Sequence, residues 1–440
     1  MAVPCTLSPV PFGSQKGGER TQPAVLSALT HRSRAPRPSE PTHARALRIL
    51  YVSHSFPLRG DPVSNVGGMQ RVATGLHAAL EAHPEVRLSS LVLETSWKAT
   101  PYRMPGYMAG LVRSIPRVVA EEEIDVVLFS SMVTASLSTV LRGRVSKHGA
   151  LMAAIPVGRD VTLPTPGYQW LVPKVFRALD LAFPISRATA EECISRGLAR
   201  EKSHVIPCGV DTELFSPPRD RAAARRELLK ALGESPETIP DEALLLVSVG
   251  RHQERKGFQW FADAVMPRLP EDVYYLVTGE GPMTPQIQAA IDRNGLGGRA
   301  RLLGKVPEEM LRTLYRGGDL FVMPNVHVPG DIEGFGVVML EAGLCGMPVI
   351  AADLEGISDV VAEGENGHLV PTQDAAAFAA AVLRYRADRE ALAAFSRAAA
   401  RRTAADFSWS SVAERFVEIL RARLGGTAVP APPARAASGL

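Results

Sequence analysis

Cysteine is scarce: four in 440 residues, Cys5, Cys193, Cys208 and Cys345. They are scattered and form no Cys-x-x-Cys, which argues against a zinc site or a disulfide framework and favours a reducing cytosol. No apolar run reaches the roughly 20 residues a membrane span needs. The formal net charge is only +3, too small to argue for nucleic acid, although local basic patches remain available to phosphate or anionic lipid. The chain has no Asp-x-Asp pair, no Walker A string and no His/Cys cluster. It also lacks Gly-x-Gly-x-x-Gly directly after a first strand, which excludes a nicotinamide dehydrogenase.

What is present is an ordinary globular composition, 46% hydrophobic and 22% charged, with enough chain for two or three domains of about 100–200 residues. Residues 1–44, rich in Pro, Ser, Arg and Thr, are expected to be disordered, either as a regulatory tail or as a translation start placed too far upstream. Pro4, Pro9, Pro11 and Gly13 interrupt any apolar signal segment, so export is not expected.

From residue 47 the chain alternates strand and helix. Residues 47–53 are a short apolar run of the doubly buried parallel-strand type. Gly67 and Gly68 then lead into a helix with Val72, Leu76 and Leu80 on one face. Further strands are expected at 86–93, 125–129, 151–157, 181–185 and 203–207, with helices at 105–120, 135–142 and 188–196. This first domain spans 45–210. A basic, partly helical stretch at 211–241 puts Arg225, Arg226 and Lys230 on a solvated face. Strands at 244–249, 273–278, 301–303, 320–323, 349–351 and 367–370 build a second domain, 211–408. A closing helix covers 409–424, and a Pro/Ala-rich tail, 425–440, is expected to be disordered. The fold class is therefore α/β, two doubly wound Rossmann-like domains with ligand between them.

The stretch around which the rest is organised runs Glu333-Gly334-Phe335-Gly336-Val337-Val338-Met339-Leu340-Glu341. Gly334 and Gly336 allow close backbone approach, and a helix starting at Val337 would offer N–H groups at its N-terminus. Glu333, before the helix, and Glu341, about two turns in, aim two carboxylates at one molecule. Carboxylates accept paired hydroxyls well, as in sugars and riboses. Arg251 and Lys256 both follow the 244–249 strand and pair a forked donor with a point charge, which suits a diphosphate. Side chains and helix N-termini would then neutralise it without an obligatory metal or other cofactor.

The chain resembles the retaining glycosyltransferases of family 4, with the GT-B fold, over about residues 47–424. The resemblance rests on Gly67-Gly68, on Ile206-Pro207-Cys208-Gly209-Val210-Asp211 with Phe215 and Pro217, and on Gly250-Arg251 with Lys256-Gly257. Gly279-Glu280-Gly281-Pro282, Gly304, the 333–341 string and Gly346-Met347-Pro348-Val349 complete it. It implies sugar transfer from a nucleotide-sugar donor to a hydroxyl acceptor with retained anomeric configuration. The leaving phosphate takes the acceptor proton, so no side-chain base is required. By the same resemblance Arg251, Lys256 and Glu333 are the catalytic set: the two cations hold the diphosphate, and Glu333 contacts sugar hydroxyls with the Gly334, Phe335 and Gly336 backbone. Glu341 binds the ribose, Lys305 and Val306 flank the base, and Gly67 and Gly68 approach the diphosphate from the first domain. The helix from Trp409 crosses back and couples the domains.

One departure stands out. Family members often carry His before Gly-x-Asp at a first-domain strand exit, where it reaches the donor sugar near its 6-position. Here Val157-Gly158-Arg159-Asp160 puts Val157 there. Three readings follow: a shifted register, a donor without a 6-hydroxyl (a pentose, deoxysugar or uronic acid), or lost activity. A nucleotide-sugar epimerase on the same fold and an inactive sugar-nucleotide-binding paralogue are the alternatives to transfer. The loop 54–65 and the basic residues Arg142, Arg144 and Lys147 lie on the first domain, where the family places acceptors. Peripheral contact with the inner membrane surface would mean a lipid-linked acceptor. His54, His252, His327 and His368 read as surface or loop histidines, with His327 nearest the organising stretch.

Overall fold

In the computed structural model the described residues are 45–60, 68–96, 98–165, 167–235, 237–331 and 333–426. The expectations for residues 1–44, for Gly67 and for the tail from 427 lie outside them. The first half runs β1 (Leu47–Phe56), α1 (Gly68–Ala82), β2 (Val86–Glu94), α2 (Thr100–Glu121), β3 (Val126–Phe129), α3 (Met132–Ala135) and α4 (Ser138–Ser146). It continues with β4 (Leu151–Ala154), α5 (Arg159–Thr162), α6 (Tyr168–Ala178), β5 (Leu181–Ala182) and α7 (Arg187–Ser195). Its five strands pair in parallel in the order β2-β1-β3-β4-β5. Ile49, Leu50, Tyr51 and Val52 of β1 are all fully buried, the mark of a strand covered on both faces.

The second half runs α8 (Arg221–Ala231), β6 (Leu244–Val249), α9 (Phe258–Trp260), β7 (Val273–Thr278), α10 (Thr284–Arg293), β8 (Ala300–Leu302), α11 (Glu308–Gly317) and β9 (Leu320–Met323). Then come α12 (Val337–Leu344), β10 (Val349–Ala352), β11 (Gly367–Val370), α13 (Ala375–Ala387), α14 (Arg389–Phe407) and α15 (Trp409–Leu424). The six strands are again parallel, in the order β11-β10-β9-β6-β7-β8. The order reverses between β6 and β9, so the loops leaving these two strands flank the crevice in which such sheets take ligands.

Three expectations need correction. Residues 203–207 form no regular strand: Ser203 bridges to Ala182, and His204 and Ile206 donate to the Ala182 and Pro184 carbonyls at 2.9 and 3.0 Å, but Pro184 has no N–H with which to return the ladder. The helix expected at 135–142 is two, α3 and α4. The charges at 225–230 are not all solvated. The Arg225 side chain is buried, with Nη2 donating to Asp319 Oδ2 at 2.5 Å and Nε to the Gly317 carbonyl at 2.7 Å. Helix α8 thereby packs on α11 as part of the second domain.

The last helix does return to the first domain, and Trp409 shows why it fits. A Cβ added at Gly75 of α1 would lie 2.2 Å from the indole Cε2, and one at Gly209 would lie 2.4 Å from its Cδ2. The ring fills a slot that only two missing side chains leave open. Beside it Val210 and Ser408 form a parallel bridge, and Arg421 of α15 pairs with Glu85 at 3.0 Å.

Candidate active site

The loops after β6 and β9 meet at Glu333. Its carboxylate is buried, a position that favours the neutral acid. Lys256 Nζ at 2.6 Å and Arg255 Nε at 3.5 Å supply the compensating charge, and Asn325 Nδ2 donates at 3.2 Å. Burial pushes the Glu333 pKa up, but Lys256, Arg255 and the hydrogen bonds outweigh it, and the net shift is downward. Glu333 is therefore an ionised carboxylate, an acceptor suited to sugar hydroxyls. Arg255 also pairs with Asp331 at 3.1 Å. The close meeting of the two loops depends on Gly257, which takes φ +66°; a Cβ there would fall 1.8 Å from the Pro324 carbonyl oxygen.

After Glu333 the chain passes Gly334, buries Phe335 against Phe407 of α14 at 6.3 Å between ring centroids, and turns into α12 at Gly336 with φ +79°. Glu341 lies in the second turn of that helix, almost wholly buried. Tyr315 of α11 donates its hydroxyl to Glu341 Oε2 at 2.9 Å, and Arg71 of α1 pairs with Oε1. The ribose candidate thus makes an ion pair with the opposite domain.

That domain closes over the glycines directly. A Cβ on Gly334 would sit 3.0 Å from the Val157 carbonyl oxygen, so Val157 lies beside the loop that follows Glu333. The Val157 N–H donates to Asp160 Oδ1 at 2.9 Å, and the Met132 N–H donates to Asp160 Oδ2 at 2.8 Å. Complete burial pushes the Asp160 pKa up to about 6. At the end of β1, His54 Nδ1 is 3.4 Å from Ser131 Oγ. Burial lowers its pKa to about 4, so the imidazole is neutral near pH 7.

Of the residues singled out in the sequence, the structure gathers Lys256, Glu333, Gly334, Phe335, Gly336 and Glu341, with Gly68 opening α1 across the cleft. Arg251 is exposed at the exit of β6, and Lys305, exposed, and Val306, half-buried, follow β8. Arg142, Arg144 and Lys147 are not brought to the cleft. Arg142 and Arg144 lie on the half of α4 that leads into the start of β4 and Lys147 directly follows it, and Arg142 is held by Asp180 at 2.6 Å. His252 is no surface histidine: it is fully buried, with Nδ1 2.7 Å from Thr284 Oγ1. His368 is likewise largely covered, bonded to Glu363 and the Tyr385 hydroxyl at 2.5 Å each. His327 is exposed, 3.7 Å from Glu355.

Sequence reading missed Arg71, Arg255, Tyr315, Asn325 and Glu355 as members of the site. Arg71 and Arg255 stand next to residues it had noted, but their partners lie far along the chain. Among the described residues no group of three or more His, Cys, Asp or Glu is arranged to hold a metal ion, and no helix is long and apolar enough to cross a membrane.

Two facing parallel-sheet domains, with a charged cluster at the switch point of one and the backbone of the other laid across it, define a GT-B glycosyltransferase scaffold. Family models agree: Glycosyltransferase Family 4 matches residues 66–214 and Glycosyl transferases group 1 matches residues 243–388. The chain belongs to this glycosyltransferase family.

Among its relatives is a D-inositol 3-phosphate glycosyltransferase of Xylanimonas cellulosilytica, 33% identical over 56% of this chain and 58% of that protein. Another is a GDP-mannose-dependent alpha-(1-6)-phosphatidylinositol monomannoside mannosyltransferase of Mycolicibacterium smegmatis, 28% identical over 70% of this chain and 79% of that one. Over several curated relatives the chain spans 47% to 65% of their length. Anabaena Alr3699/HepE, solved in complex with UDP, shares the fold with a TM-score of 0.65 at 18% identity, over 86% of this chain and all of that one.

Proposed function

We propose that the protein is a retaining glycosyltransferase that moves a sugar from a UDP- or GDP-sugar to a hydroxyl acceptor. The observation that carries this reading is the buried Glu333 carboxylate held by Lys256 at 2.6 Å, at the switch point of the second sheet and beneath the Val157 carbonyl. Glu333 accepts hydroxyls of the donor sugar. Lys256 lies close enough to share its charge between Glu333 and the diphosphate, and the exposed Arg251 reaches the same phosphates. Arg255 adds a third positive charge. Lys305 and Val306 flank the base, and Glu341 takes the ribose.

In the reaction the acceptor oxygen forms a bond to the anomeric carbon on the face from which the diphosphate departs. The anomeric C–O bond to phosphate breaks, and the departing phosphate oxygen takes the acceptor proton. Lys256, Arg251 and Arg255 stabilise the charge that develops there, and the diphosphate is neutralised without an obligatory metal. Relatives named for an inositol phosphate and for a phosphatidylinositol mannoside support a phosphorylated or lipid-linked polyol acceptor, the latter reached by peripheral contact with a membrane surface.

Val157 beside Gly334 favours a donor without a 6-hydroxyl: a pentose, a deoxysugar or a uronic acid. A turnover screen with UDP- and GDP-sugars, read as nucleotide release and product anomer by NMR, tests both parts. The reading expects transfer with retained configuration, undiminished by EDTA, with such a sugar preferred. UDP-glucose or GDP-mannose as best donor would remove the preference. Free sugar released equally with and without acceptor would favour the epimerase or hydrolytic alternative.

A further inference from the structure

Glu355 stands three residues after the end of β10, in the 3-10 turn Glu355–Asp359, with φ +51°. Few residues other than glycine, asparagine and aspartate adopt that backbone region, and such outliers cluster at functional sites. The chain holds the strain with an explicit contact. The Glu333 N–H donates to Glu355 Oε2. The turn grips the same residue a second time, since the Gly356 N–H donates to the Glu333 carbonyl at 3.2 Å. The approach is so close that a Cβ on Gly356 would lie 2.1 Å from the Gly334 carbonyl oxygen. At its other end the turn is fixed to the first domain: the Arg187 N–H donates to Asp359 Oδ2 at 2.6 Å, and the Arg187 guanidinium pairs with the same carboxylate.

We propose that Glu355 is a positioning residue for the donor-sugar loop: its carboxylate, on a strained backbone anchored to the opposite domain through Asp359, holds the Glu333 main-chain N–H so that the Glu333 carboxylate and the glycine backbone face the sugar together. The inference rests on the reading of Glu333 as the sugar contact. Both ends of Glu333 are then held, the side chain by Lys256 and Asn325 and the main chain by Glu355 and Gly356. Burial is the chief cause raising the Glu355 pKa, with Glu333 adding to it and the Glu333 N–H bond opposing it.

The test compares Glu355→Gln, Glu355→Ala and Glu355→Gly. Glycine relieves the positive φ, so E355G should melt no lower than wild type while losing the hold on Glu333. Amide hydrogen exchange of the ligand-free protein is expected to quicken at least tenfold over residues 333–336 in E355A and E355G. E355Q, whose amide oxygen still accepts the Glu333 N–H, should remain near wild type. Wild-type exchange over 333–336 in E355G would overturn the proposal.

A second arm uses UDP, GDP, UDP-xylose, UDP-glucuronate, UDP-glucose and GDP-mannose as probes of melting temperature, the sugar with the largest increment on wild type being the one compared. In E355G the nucleotide shift should persist and the extra shift from the sugar should vanish; a retained sugar increment also overturns the proposal. Absence of any nucleotide shift in wild type would defeat the donor-site reading itself, and the exchange arm would still decide whether Glu355 positions the loop.

Discussion

Arg71 of α1 and Glu341 of α12 form an ion pair that joins the two domains, with the Tyr315 hydroxyl on the carboxylate's other oxygen. The Glu341 side chain is only 2% exposed, whereas that of Arg71 is 32% exposed. Removing the arginine leaves a buried carboxylate without its charge partner, with water recovering part of the loss on the open side. Arg71→Ala should cost about 1–3 kcal/mol and lower the melting temperature by several degrees. Ribose hydroxyls on Glu341 would take over part of Arg71's role, so the deficit should narrow at saturating UDP or GDP. An unchanged deficit in thermal scans with and without nucleotide would show that Arg71 and the ligand do not share Glu341.

The pair Arg225–Asp319 differs in being buried on both sides, 4% and 2% exposed. Asp319 also accepts the Leu245 N–H at 2.8 Å, which ties α8 to the central strand β6. Arg225→Ala should destabilise by roughly 3–5 kcal/mol. Arg226→Ala, with a partner 3.5 Å away at the surface, should cost less than about 1 kcal/mol. Urea denaturation of the two variants measures the contrast.

The slot around Trp409 makes a steric prediction. Gly75→Ala and Gly209→Ala each place a methyl within 2.4 Å of the indole, so the ring or the backbone must shift to admit either. Each substitution should lower stability by about 1–3 kcal/mol, shift tryptophan emission to the red, and loosen α15 from α1. Gly106→Ala, whose added Cβ meets nothing within 4 Å, serves as the control.

Asp160 gives a pH signature. Its folded pKa, raised to about 6 by burial, exceeds the unfolded value of about 3.9. Between these values the native state binds more protons than the unfolded chain, so this group's contribution to stability falls as pH rises from about 4 to 6. Over that window wild type should lose up to roughly 3 kcal/mol relative to Asp160→Asn, about 1.36 kcal/mol per pKa unit. Denaturation curves of both proteins at pH 4.5 and pH 7 check the sign. A wild type that gains on the variant with rising pH would contradict it.

Strand and helix alternation was legible in the sequence because doubly buried strands read as unbroken apolar runs, as Leu244–Val249 does. The 333–341 string was legible for a similar reason: its acids, glycines and helix start are local. Partners were not. Arg71 meets Glu341 and Arg225 meets Asp319 across long stretches of chain, and no spacing rule links them. Arg225 therefore read as a solvated charge beside Arg226, which is indeed exposed. Glu355 carried a signal only in its backbone, a positive φ that no side-chain pattern announces. Strand 203–207 was over-read, since it runs beside the sheet edge and donates to it at His204 and Ile206, but Pro184 opposite has no N–H to complete the ladder.

The most direct measurement is a melting-temperature screen of wild type, Glu341→Ala and Lys256→Ala against UDP, GDP, ADP and their sugars. If the cluster at Glu333 and Glu341 is a nucleotide-sugar site, wild type should shift upward with one nucleotide, further with one of its sugars, and both variants should lose the shift. A wild type that shifts with none of them, or variants that shift as fully as wild type, would contradict the account.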